Sequence, residues 1–357
     1  MSGDEFILRK KLIISTCIIL ILVVAVAGWW QDHAYRMAIK PVEIADIPVS
    51  YQLLDTQFYY NQLTAEEKKI YEEIKKILEQ YKSGVILLEQ PISAKSYFQI
   101  ESPLRYDYNN YWYLAYLIPF SKENKRIVPA LEQHSEETMI DKLILIIDSK
   151  QFQERTYPLS EEDIITNEEI ANKGYDLGFH QTYNDFKECF VDGNPAYYDD
   201  VTMQIESSLQ QIIADMPEGL NQEKAVQYFS QWLVDHMEYD PIIANRIITG
   251  SLVGYDFRRE ISAGSISSII DKNGTCTGFS LILTTLCNRI GIDAYIILGE
   301  VPNARHGWVA IKIGDDTYYK DPTSEIANKK VQPLTTDVQF YQYFHREFKP
   351  FSDLFEY

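Results

Sequence analysis

Apolar and polar residues alternate differently along the chain, and the changes mark out its elements. Residues 12–30 hold no charge over 19 positions, and a helix needs about 20 apolar residues to cross a bilayer. Residues 31–55 are mixed in character and carry Pro41 and Pro48, which reads as a linker. Over 64–81 the apolar residues Ile70, Ile74, Ile77, Leu78 and Tyr81 recur on one helical face. Thr64 with Glu67 three residues later predicts a capping box at the start, and Ser83-Gly84 predicts the end. Residues 85–88, 96–100, 111–118 and 143–147 are short, β-branched or aromatic and bounded by turn residues, so each is expected to be a strand. Residues 56–190 are therefore expected to be an accessory mixed α/β region. Its acidic run, 160–169, reads as a solvated helix or loop.

The second half is patterned more regularly. Residues 199–216 place Val201, Ile205, Leu209, Ile212 and Ile213 on one face, and Pro217-Glu-Gly219 breaks the helix. Asn221 is a cap for a second helix to 237, with Ala225, Phe229, Trp232 and Leu233 as its buried side. A loop with three glycines is expected over 250–264, then a short apolar turn over 266–270. Residues 280–290 predict a helix ended by Gly291. Strands follow at 294–298, 306–313 and 317–320, with a loop over 299–305 and Gly314-Asp315-Asp316 as a hairpin signal. Helix followed by antiparallel meander makes 195–357 an α+β unit.

Candidate chemistry enters at the start of that helix. Asn273-Gly-Thr-Cys-Thr-Gly-Phe279 sets Cys276 between Gly274 and Gly278 where a loop turns into a helix. His306-Gly-Trp308 comes 30 residues after the cysteine and Asp321-Pro-Thr323 a further 15. His306 and Asp321 are symmetric about roughly position 313.5, so a hairpin turning there brings imidazole and carboxylate opposite each other. A helix N-terminus carries roughly half a positive charge, and a nearby imidazolium a full one, so both favour the Cys276 thiolate. Asp321 would then hold the imidazole tautomer, and backbone N–H groups at the helix start could bind an oxyanion. Gly274 and Gly278 permit close approach of substrate or of a packing partner. Trp308 reads as core, His236 as a structural or surface residue, and Cys287 as a small buried hydrophobe.

These three motifs, in this order and at these spacings, resemble the transglutaminase-like superfamily. The resemblance covers roughly 195–325, including the helix end His236-Met-Glu-Tyr239-Asp240. More loosely, the segment from Gln62 to Tyr71 is similar to the leading helix of membrane-anchored or secreted bacterial members. The resemblance implies a papain-like fold, with Cys276 as nucleophile, His306 as general base and Asp321 as orienter. Ser324 departs from it, since many members carry an aromatic residue after Asp-Pro-Thr. It implies an enzyme acting on amides of a protein or peptide through a thioester. Water as acceptor would make it a peptidase or deamidase, an amine a cross-linking transglutaminase. A non-catalytic peptide- or cell-wall-binding module that kept the fold is the alternative.

Composition narrows the partners. Arg9, Lys10 and Lys11 precede the apolar run 12–30, which orients 1–11 to the cytoplasm and the rest outward. That makes 12–30 a signal-anchor, with Trp29 and Trp30 at the interface. Cleavage after Ala25-Val-Ala27, giving a secreted protein, is the competing expectation. A net charge of −19 argues against a nucleic-acid partner. Past the anchor there are three cysteines, Cys189, Cys276 and Cys287. An odd number leaves at least one thiol free, and Cys189 could pair. No Cys or His pair has zinc-ligand spacing, and the triad chemistry calls for no cofactor.

Overall fold

The computed structural model describes residues 42–107, 111–121, 126–127, 136–148, 193–244, 257–302 and 304–357. The expected signal-anchor at 12–30, the acidic run at 160–169 and Cys189 lie outside these residues. Among the described residues no helix is long and apolar enough to cross a membrane.

In the first half, α1 (Ala65–Leu78) begins as predicted. The Thr64 hydroxyl accepts from Glu67 N, and the Glu67 carboxylate accepts from Thr64 N at 2.8 Å. The helix ends at Leu78, earlier than Ser83-Gly84, and Tyr81 turns the chain with φ of 52°. Strand β1 (Gly84–Ser93) leads directly into α2 (Ala94–Tyr106). Residues 96–100, expected as a strand, are thus helical. The Ser93 hydroxyl caps them by accepting from Ser96 N at 3.1 Å. Tyr97, Ile100 and Leu104 are buried at helical spacing, so packing outweighs the local β-preference of the aromatic run.

Strands β2 (Leu114–Ser121), β3 (Arg126–Ile127) and β4 (Met139–Ile147) join β1 in a four-stranded antiparallel sheet of order β1-β4-β2-β3. The strand expected at 111–118 begins three residues late, at Leu114. Residues 42–55 run extended along the other half of the molecule. Ile47 O accepts from Gln222 N at 2.7 Å, and Leu54 N donates to Asn288 O at 2.8 Å.

The second half opens with α3 (Pro195–Ala214) and α4 (Gln222–His236), the latter capped by Asn221, which accepts from Lys224 N. Strand β5 (Glu238–Tyr239) follows, then α5 (Phe257–Ala263), a helix within the stretch expected as loop. Next come α6 (Ser268–Asp271), β6 (Asn273–Gly274), which pairs in parallel with β5, and α7 (Cys276–Arg289). The meander is β7 (Ala294–Val301), β8 (Ala304–Ile313) and β9 (Asp316–Lys320), with α8 (Pro322–Asn328) beyond it and β10 (Lys349–Pro350) on its outer edge. The loop expected at 299–305 is therefore a tight hairpin, because β7 and β8 stay paired as far as Val301 and Ala304. One buried core continues from Ile74 and Leu143 in the first half to Leu283 and Ile296 in the second.

Gly278 shows how tightly α7 is seated. A Cβ there would lie 2.4 Å from the Ala263 carbonyl oxygen and 2.8 Å from Ser268 Oγ. Gly278→Ala should therefore push the helix off its bed and destabilise the protein by roughly 1–3 kcal/mol, read as a lower urea midpoint at unchanged slope.

Candidate active site

Cys276 is the first residue of α7, and Thr275 is its N-cap without a side-chain cap to the helix. The Thr275 backbone N–H and hydroxyl both go to Ala263 O instead, at 2.9 and 3.3 Å. The first N–H groups of α7 are thus left without a capping side chain, beside a half-buried thiol. Gly278 meets the 263–268 backbone, and Gly274 packs within 2.9 Å of the Phe279 ring as judged by its missing Cβ. Both glycines serve packing of α7.

The hairpin carrying His306 and Asp321 turns one residue later than its symmetry suggested. Ile313 pairs with Asp316 and Val309 with Lys320, so the turn centres on Gly314-Asp315, with φ of 65° at Gly314. Extending that register sets Asp321 opposite Trp308, and His306 one diagonal step away. A shift of two in register keeps the same face, so the contact survives: His306 Nε2 lies 3.2 Å from Asp321 Oδ1. Cys276 is close enough for the imidazole to act on its thiol. The Ser280 hydroxyl, one turn along α7, donates to Gly307 O at 3.2 Å and fixes α7 against β8.

Burial alone would raise the Cys276 thiol. The His306 hydrogen bond and charge, with a hydrogen bond from the Gly307 backbone, outweigh it and bring the thiol below its ordinary value of 9.0. For His306 burial works downward, but the Asp321 carboxylate and the Cys276 sulfur reverse it and hold the imidazole well above its ordinary 6.5. Asp321, which burial would raise, is kept below the usual carboxylate range chiefly by His306, then by His345 and the Ser324 backbone. The three groups therefore favour a thiolate–imidazolium pair steadied by a carboxylate.

Asp321 is also the N-cap of α8, accepting from Thr323 N at 3.1 Å, so its carboxylate is fixed by the helix it starts. Beneath it Lys320 Nζ and Glu325 Oε1 form an ion pair at 2.8 Å with both side chains buried. Lys320 Nζ also donates to Gln332 O at 2.6 Å. Ser324 contacts Asn328 and Gln332 through its hydroxyl and meets Asp321 through its backbone alone.

Trp308 is fully buried and donates from Nε1 to the Tyr341 hydroxyl at 2.9 Å. Its ring lies 6.1 Å from that of His306, and Phe348 stands edge-on to His306 at 4.8 Å. The C-terminal aromatic segment thus walls in the imidazole. His345 sits in that wall, stacked against Phe348 at 4.3 Å, and burial holds its imidazole below the ordinary 6.5. Nothing in the spacing of the sequence singles it out. His236, by contrast, is tied to its own helix, with Nδ1 2.9 Å from Trp232 O. Cys287 is buried, and burial pushes its thiol up to about 12.

Tyr239 is the residue whose role the sequence left unread. It lies beside Gly274 in the β5–β6 register, two residues ahead of the nucleophile. Burial raises its hydroxyl first, and the charges of Cys276, Asp240 and Asp321 raise it further. Among the described residues no group of three His, Cys, Asp or Glu side chains could hold a metal ion.

Neither a family model nor a curated protein matches the sequence. Solved structures do. A crystal structure of a TGase is 18% identical over 61% of this chain and 47% of its own, with a TM-score of 0.29. A candidate cysteine protease from Cytophaga hutchinsonii is 18% identical over 37% of this chain and 42% of its own, with a TM-score of 0.27. This chain spans less than half the length of either. Superposition at those scores is loose, so the chemistry has to be read from the site's own geometry.

Proposed function

We propose that this chain is a cysteine enzyme that transfers the acyl group of a protein or peptide amide through a thioester on Cys276. The observation that carries the reading is the His306 Nε2–Asp321 Oδ1 contact, on an imidazole that lowers the thiol of Cys276 at a helix N-terminus. The thiolate attacks the amide carbonyl, and the oxyanion is met by N–H groups at the start of α7. The imidazolium gives its proton to the leaving nitrogen, and the C–N bond breaks. His306, now neutral, takes a proton from the acceptor, which attacks the thioester and frees Cys276.

Tyr239 is suited to donate the further hydrogen bond to the oxyanion. Tyr239→Phe should lower kcat by roughly 10–10³-fold with little change in KM, because the bond forms only as charge develops. An equal fall in kcat and rise in KM would make it a substrate contact instead.

Water is the acceptor we favour, since amine transfer requires a second binding site for the amine. Incorporation of a fluorescent amine into casein, set against peptide release from it, separates the two. A chain that only binds peptides would do neither and would show a Cys276 no more reactive than an ordinary thiol. The outward orientation rests on Arg9, Lys10 and Lys11 ahead of the apolar run 12–30. Protease added to intact cells should then remove the catalytic half.

A further inference from the structure

A cavity of about 250 Å³ lies along the flank of α7 next to the nucleophile. On one wall are Thr277, Leu281, Thr284 and Thr285, which share a face of that helix. The facing wall comes from the accessory half, with Arg105 and Tyr106 of α2 and Trp112 just ahead of β2. Thr275 and Thr277 bracket Cys276 in sequence and both line the cavity. Tyr106 lines it too, and the charge of Cys276 raises its hydroxyl after burial and the nearby charged side chains. The cavity therefore begins at the residues that flank Cys276, although Cys276 itself does not line it.

Its polar groups sort into occupied and vacant. Arg105 Nε donates to Glu101 Oε1 at 2.6 Å, and its two terminal nitrogens point to Leu114 O and Ala115 O at 3.4 Å. Asp107 accepts from Tyr59 N at 2.9 Å and Tyr60 N at 2.8 Å. Arg105 is thus paired with Glu101, while Asp107 is held by neutral backbone N–H groups alone and burial pushes its carboxyl up to about 7. Asn288 is held by Thr56 and Ala294, and the Thr284 hydroxyl by its own helix. Among the described residues the hydroxyls of Tyr106, Thr277 and Thr285 have no hydrogen-bond partner. What is left to meet a ligand is these neutral hydroxyls and that of Tyr295, set among aromatic and aliphatic surface.

We infer that this cavity holds the group next to the scissile amide, and that it selects an uncharged side chain or ring bearing hydrogen-bonding atoms. The inference rests on the acyl-transfer reading above and adds to it a specificity site with one wall from each half of the chain. Pockets for drug-sized ligands run to about 300–1,000 Å³. A volume near 250 Å³ takes one side chain or ring and leaves the rest of a peptide outside. A charged group entering it would lose its water without gaining a full counter-charge, because Arg105 is already paired with Glu101 and burial leaves Asp107 only partly ionised, so it would be disfavoured. The accessory half then has a task of its own, which is to complete the cleft.

The test uses the full chain and peptidyl vinyl sulfones that differ in one side chain: a phenol, a carboxamide, a carboxylate or an ammonium group. Iodoacetamide, too small to use the cavity, reports the state of the Cys276 thiolate in parallel. In the wild type the better neutral probe should react at least about tenfold faster than either charged one. Thr285→Leu fills the cavity and should erase that preference while iodoacetamide labelling stays within about twofold. Thr285→Val, which keeps the shape and removes the hydroxyl, should give an intermediate loss. Equal rates for all four probes, or a preference that survives Thr285→Leu, would overturn the proposal. Failure of the triad reading would look different, since iodoacetamide labelling itself would then be ordinary in the wild type.

Discussion

His306→Ala should convert Cys276 from a reactive thiolate into a buried, unreactive thiol. In the wild type the thiol is held low and the imidazole high, so the ion pair exists between the lowered Cys276 value and the raised His306 value. Iodoacetamide labelling should therefore persist as pH falls below the ordinary thiol value of 9.0 and decline only on passing the lowered Cys276 value. Acyl transfer should follow a bell whose acid limb is protonation of the thiolate and whose alkaline limb is loss of the imidazolium. Without His306 the favourable charge is gone while burial stays, so labelling should appear only on the alkaline side. Turnover should fall by roughly 10⁴-fold or more, as it does when a triad loses its base. Cys276→Ala should abolish both labelling at that residue and turnover. Undiminished labelling of His306→Ala at neutral pH would sink the triad.

Lys320→Met should be the most destabilising change outside the core. The Lys320–Glu325 pair is buried, with side-chain exposures of 0% and 1%. Removing the ammonium leaves the Glu325 carboxylate without its cation, its Oε2 already lacking a hydrogen-bond partner. Breaking such a pair costs about 3–5 kcal/mol, whereas replacing both partners by apolar groups is often neutral. Lys320→Met with Glu325→Met should thus recover most of the urea midpoint lost by the single variant. Asp321 sits between the two in the same turn, so turnover should follow. If the pair only held the fold, the double variant would regain activity with stability. A double variant that is stable but slow would show that the pair also positions the carboxylate.

The register of the catalytic hairpin shows how far local pattern reaches. The sequence placed the turn near 313.5, and the strands turn at Gly314-Asp315, so each facing partner is displaced by two. The displacement is even, so the side-chain face stayed right and the His306–Asp321 contact held. Residues 96–100 went the other way. An aromatic, β-leaning run became part of α2 because a serine cap and a long-range core were available, and neither shows in a window of that length.

Determined by sequence alone were the features set by neighbours along the chain. They include the Thr64 capping box, the Asn221 cap, and the helix that starts at a cysteine between two glycines. They also include the order of thiol, imidazole and carboxylate. Each follows from backbone hydrogen bonding and side-chain period, which are local. Only the tertiary structure decided what meets across the fold. It set Tyr239 beside Gly274, two residues ahead of Cys276, through a two-residue parallel pair. It packed the aromatic wall of Trp308, Phe348 and His345 around the imidazole. It also brought Arg105, Tyr106 and Trp112 against α7 to form a cavity. Those contacts join residues tens to hundreds of positions apart, and burial of a shared core, which has no period in the sequence, is what selects them.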